Sequence, residues 1–100
     1  MYTQQELIDK LTPILKQYPI KRAALFGSYA RGEQERGSDL DIFLEIDESA
    51  DLVNVYYNFW DELEEITELK ADVLTPGSLN TAPKRFRERI LSELRYIYEA

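Results

Sequence analysis

From Asp39 to Ile46 the chain alternates: Leu40, Ile42, Leu44 and Ile46 face one way, and Asp39, Asp41, Phe43 and Glu45 face the other. Such a period of two predicts a strand with an apolar face that another layer must cover. The covering layer has to come from the segments on either side, and their pattern is helical. This one stretch therefore commits the chain to a sheet with helices packed on it.

The flanking segments supply the rest of the order. Thr3 followed by Glu6 is a capping-box pattern, and Leu7, Ile8, Leu11, Ile14, Leu15 and Tyr18 recur at helical spacing. They predict a first helix over Thr3–Gln17, with a kink or break near Thr12 because Pro13 removes an internal hydrogen bond. Arg22–Phe26 is short and apolar and reads as a buried strand that runs into Gly27-Ser28 and the first turn of a short helix, with a polar loop over Glu33–Gly37. Leu52, Val53, Tyr56, Phe59, Trp60, Leu63 and Ile66 form a broad stripe, predicting a long helix over Asp51–Glu68 whose aromatics are core rather than a base-stacking platform. Lys70–Leu74 is a further strand, stopped by Thr75-Pro76-Gly77. Pro83 opens a helix that runs to Glu93, and Arg95–Tyr98 alternates as a final strand. The expected fold class is α/β (α+β), a mixed sheet packed with helices, in one domain over residues 1–100 with no repeat or linker.

Two missing residue types narrow the chemistry. Without Cys there is no thiolate nucleophile or disulfide, and without His there is no Ser-His-Asp triad or imidazole zinc site. Carboxylates, hydroxyls, backbone amides, Lys and Arg remain, a set that favours hard cations held by oxygen, above all magnesium. The net charge of −7 disfavours direct nucleic-acid binding over most of the surface. Lys84, Arg85, Arg87, Arg89 and Arg95 nevertheless make the stretch Pro83–Arg95 positive, either as a solvated helix face or as a docking patch for triphosphate or an acidic partner. The first residues lack a basic region followed by an apolar run, and no stretch approaches the ~20 apolar residues of a membrane helix. A soluble, cytoplasmic protein is expected.

Asp39 and Asp41 stand two apart on a strand, so both carboxylates leave the same face, roughly 7 Å apart, and can converge on one cation. An Asp-x-Asp pair can equally cap a strand or face solvent. Asp72 lies mid-strand in Lys-Ala-Asp-Val-Leu, where an ionised side chain needs a hydrogen bond, an ion pair or a metal. If its strand neighbours Asp39–Ile46, three carboxylates meet, and a divalent ion would relieve their repulsion. Gly27 has no Cβ to block an approaching phosphate, Ser28 adds a hydroxyl, and Arg31 adds a bidentate donor one turn later.

Taken together, Gly27-Ser28-Tyr29-Ala30-Arg31-Gly32 and Gly37-Ser38-Asp39-Leu40-Asp41 resemble the signature of the DNA polymerase β-like nucleotidyltransferase superfamily. The closer likeness is to its stand-alone minimal nucleotidyltransferases, with Asp72 where a third carboxylate is expected; it covers Arg22 to Leu74 well. The resemblance implies two magnesium ions, with Asp39, Asp41 and Asp72 as metal ligands and catalytic residues. Asp72 would hold the catalytic ion and help orient or deprotonate the attacking hydroxyl. Gly27, Ser28 and Arg31 would bind the nucleotide, with ATP as substrate and AMP as the transferred group.

Small members of that subgroup act as antitoxins that adenylylate a tyrosine of a HEPN ribonuclease toxin, and an acidic chain suits a partner with a basic RNA-binding surface. Two other readings stay open: transfer to a small molecule such as an aminoglycoside, and a binding module that blocks its partner sterically.

Overall fold

The computed structural model describes residues 1–100. Its first element, α1 (Gln4–Gln17), begins where the sequence places it: the Thr3 hydroxyl accepts from the Glu6 amide while the Glu6 carboxylate accepts from the Thr3 amide. The expected break near Thr12 does not occur, and α1 runs through Pro13 as one helix. Leu7, Leu11, Ile14 and Leu15 are all buried on its inner face, and that anchoring outweighs the single hydrogen bond Pro13 forgoes.

Strand β1 (Ile20–Phe26) leads directly into the five-residue helix α2 (Gly27–Arg31), and β2 (Leu40–Ile46) follows. Helix α3 (Leu52–Thr67), capped by the Asp51 side chain, returns the chain to β3 (Ala71–Leu74). Thr75-Pro76-Gly77 was expected only to end that strand. It also starts a helix: Thr75 caps α4 (Pro76–Asn80) and Pro76 takes the first turn, where its missing N–H costs nothing. Helix α5 (Lys84–Glu93) and an edge strand β4 (Arg95–Glu99) complete the chain.

The sheet order is β3-β2-β1-β4. β1 is antiparallel to β2 and β4, whereas β2 and β3 are parallel, as a helical crossover through α3 requires. One face packs Leu40, Ile42, Leu44, Ala71 and Val73 against α1 and α3 in a cluster of 15 buried residues. The other face, with Ala24, Phe26 and Phe43, meets Leu79 of α4 and Ile90 of α5 in a cluster of five buried residues, with Leu74 and Leu94 packed at its margin. No helix is long and apolar enough to cross a membrane.

Candidate functional site

The site sits on the thinly covered face, where three registers coincide. β1 ends with Phe26 opposite Asp41, and β2 sets Asp41 beside Asp72 of β3. Adjacent residues of neighbouring strands share a face, so the two carboxyls are forced together just where the chain turns from β1 into α2.

Burial, then the charges of Asp72 and Asp39, and a hydrogen bond with Asp72 push the Asp41 carboxyl up from 3.8 to about 6. Arg31 opposes this rise without cancelling it. Asp39 is exposed one pleat before Asp41, and it shares the wall of an adjoining hollow with Asp72, Lys70, Asp61, Glu64, Tyr57 and Trp60. The three aspartates are thus neighbours on one face, but they do not form the single cage that their spacing suggested. Asp41 and Asp72 make a contacting pair with Asp39 alongside, and no three acidic groups are gathered closely enough to hold an ion among them. The register explains the difference: it aligns Asp72 with Asp41, leaving Asp39 a full pleat further along. An oxygen-only pair with a third carboxylate beside it still fits a hard divalent cation, which would relieve the repulsion that raises Asp41.

Gly27 is required by this geometry for a reason its sequence position does not reveal. Its φ is +71°, and a Cβ there would lie 2.1 Å from Asp41 Oδ2. The space a side chain would fill is already taken by the carboxylate. The rest of α2 is held from behind: Tyr29 is buried in the large core, and Gln4 Nε2 donates to the carbonyls of Tyr29 (2.6 Å) and Ala30 (3.2 Å). Ser28 is half-buried in the first turn.

Arg31 is exposed but already ion-paired. Its guanidinium meets Glu33 at 3.1 Å and Glu93 at 2.9 Å, and the second oxygen of Glu93 accepts from the Gly27 amide at 3.1 Å. Glu93, at the end of α5, therefore holds two of the three groups expected to bind phosphate. Its separation from them, 62 to 66 residues, left no local pattern to find.

Phe26, Gly27, Asp41, Tyr56, Trp60, Asp72, Phe86, Arg89 and Glu93 line one cleft together with Val73 and Leu74. Two features of this lining correct the expectations above. Tyr56 and Trp60 are half-buried cleft walls, packed edge to face at 5.5 Å, while Phe59 and Leu63 are the core residues of α3. The basic stretch is also divided: Arg89 reaches the cleft, while Arg87 bonds the Asn80 carbonyl, Lys84 approaches Glu88 and Arg95 bonds Gln4.

Residues 9–100 match the family model for polymerase beta, nucleotidyltransferase. The chain belongs to that family. Among its relatives is a Methanocaldococcus jannaschii protein described as a candidate protein adenylyltransferase, 44% identical over 91 residues that span 88% of this chain and 90% of the relative. Among solved structures, a chain of a toxin–antitoxin complex with AMP-PNP superposes with a TM-score of 0.71 at 20% identity, covering 93% of this chain and 73% of that one. A chain from the complex of a tri-AMPylated Shewanella oneidensis HEPN toxin with an MNT antitoxin gives a TM-score of 0.66 at 16% identity, covering 97% and 73%. The resemblance in the motifs and the mixed four-stranded sheet thus agree on one nucleotidyltransferase fold.

Proposed function

We propose that the chain is a magnesium-dependent protein adenylyltransferase that moves AMP from ATP to a tyrosine hydroxyl of a HEPN ribonuclease toxin and so acts as its antitoxin. The observation that carries this reading is the Asp41–Asp72 pair, set side by side by the β2–β3 register next to the Gly27 turn. Two carboxylates held this close repel each other when both are ionised, and a bound divalent metal relieves that repulsion. The 44% identical relative, described as a candidate for the same activity, supports the adenylyl specificity. The AMPylated HEPN toxin found with a similarly folded antitoxin supports the choice of acceptor.

In this reading Asp41 and Asp72 would hold the ions as a pair, with Asp39 beside them supplying a further carboxylate. When bound, magnesium would neutralise the triphosphate and polarise the α-phosphate. The Gly27 amide, the Ser28 hydroxyl and Arg31 bind the outer phosphates. Asp72, shared by both hollows, faces the acceptor and receives the proton from its hydroxyl as the oxygen attacks the α-phosphorus. The bond to the β-phosphate oxygen breaks, and pyrophosphate leaves along the Gly27 side. Such catalysis rests on positioning and charge, in keeping with a chain that has neither His nor Cys.

The hollow beyond Asp72 has Asp39, Asp61 and Glu64 on its wall against Lys70 alone, so it suits a basic acceptor. A polycationic small molecule would share that attraction, and this is the second reading. Incubating the chain with ATP, magnesium and its HEPN partner, then measuring intact mass, tests the first. An AMP adduct on the toxin is expected. No adduct, with label appearing instead on an aminoglycoside, would favour the second. Silencing of the toxin without any adduct would mean steric blockade.

A further inference from the structure

Glu93 is the one cleft carboxylate that takes no part in the mechanism above, and it contacts two of the groups assigned to phosphate. One oxygen accepts from the Gly27 amide at 3.1 Å and the other meets Arg31 at 2.9 Å. Its side chain is only 14% exposed. It lines the cleft that already holds Asp41 and Asp72, where a further negative charge is unfavourable unless donors hold it there. Glu93 is the last residue of α5, and Leu94 breaks the helix (φ −58°, ψ 125°) before β4 begins at Arg95.

We infer that Glu93 is an internal competitor that sets nucleotide affinity: its carboxylate occupies the donors that a polyphosphate takes, and ATP binds by displacing it. The inference rests on the phosphate-binding role proposed for Gly27 and Arg31. A tethered carboxylate acts at an effective concentration of roughly millimolar order, so a free anion must outcompete it. A magnesium-bound triphosphate offers several charged oxygens and can do so. Once transfer has left pyrophosphate on the same donors, the return of Glu93 promotes its release.

The opposite role makes the opposite prediction. If Glu93 merely clamps α5 to α2 and holds the donors in place, removing it loosens them and weakens binding. Calorimetric titration of the full chain with magnesium-ATP, and separately with magnesium and inorganic tripolyphosphate, decides the matter. In Glu93→Gln the amide oxygen can still accept from Gly27, but the charge facing Arg31 is lost; in Glu93→Ala both contacts go. ATP should bind about 3-fold tighter to the Gln variant and up to about 10-fold tighter to the Ala variant, with the same ranking for tripolyphosphate. Thermal melting shows which variants are folded, and the Gln variant decides alone if the Ala variant is not. Unchanged or weaker ATP binding in a folded variant overturns the inference, as does tighter binding of ATP without tighter binding of tripolyphosphate. If neither wild type nor variants bind either ligand, the nucleotide site itself is refuted.

Discussion

The two faces of β2 are made by alternate residues of one seven-residue strand, yet they serve opposite ends. Leu40, Ile42 and Leu44 are each 0% exposed within a 15-residue cluster closed by α1 and α3. On the reverse, Asp41 shares its face with Phe43 and a cluster of five. The first face holds the sheet together. The second carries a carboxyl pushed up to about 6 by burial and by its neighbours, beside a glycine whose missing side chain makes room for it. A site that must gather like charges can be tolerated because the face behind it is packed without compromise.

That contrast can be broken most forcefully from the charged side. Asp39→Asn with Asp41→Asn should reduce AMP transfer by at least about 100-fold, read as adduct on the partner, while the fold survives. Transfer at the wild-type rate would remove these aspartates from the metal site. The reciprocal change, Ile42→Ala, should cost about 2–5 kcal/mol in denaturant unfolding yet leave transfer by the folded fraction intact. A small loss of stability there would mean that the two faces are less unequal than their packing indicates.

Gly27→Ala tests the seam between them. Its positive φ should cost about 1–2 kcal/mol, and its Cβ must drive the Asp41 carboxyl aside, so both nucleotide affinity and transfer should fall. Wild-type affinity in this variant would show that Asp41 moves freely without consequence.

The smallest effect is a pH dependence. Because the pKa of Asp41 is raised from 3.8 to about 6, the folded chain keeps a proton that the unfolded chain has released between those values. Its contribution to stability therefore declines as pH rises from about 4 to 6 and is level above. In metal-free buffer Asp41→Asn should be more stable than wild type at pH 7.5 by about 1 kcal/mol, discounted for partial exposure, and the gain should vanish below pH 4. Equal stability at both pH values would mean that Asp41 is not strained.

What was legible in the sequence follows the range of the interactions involved. The period-two strand, the capping box at Thr3 and the stripe of α3 are local patterns, and each produced its element within a few residues. The Gly-Ser and Asp-x-Asp motifs pointed to the region of the cleft. The short helix α4 was hidden because five residues are too few to show a period, and because Pro76-Gly77 reads equally well as a stop. Tyr56 and Trp60 carried the same apolar signal as Phe59, and only the packing of α3 across the β2–β3 edge separates wall from core. Glu93 was silent for another reason: its partners come from β1 and α2, and no spacing rule links positions so far apart.

The close fit of Gly27 to Asp41 also limits how this chain can vary. With only 2.1 Å between a notional Cβ and the carboxylate oxygen, a change at 27 displaces the side chain at 41. While the Asp41 carboxylate keeps its present position, glycine is required at 27, whatever happens to the phosphate-binding role of that turn. A lineage that loses the carboxylate is relieved of the clash and retains only the cost of the backbone angle. Among descendants of such a chain, a side chain at position 27 would be a record that the acid at 41 had been moved or lost.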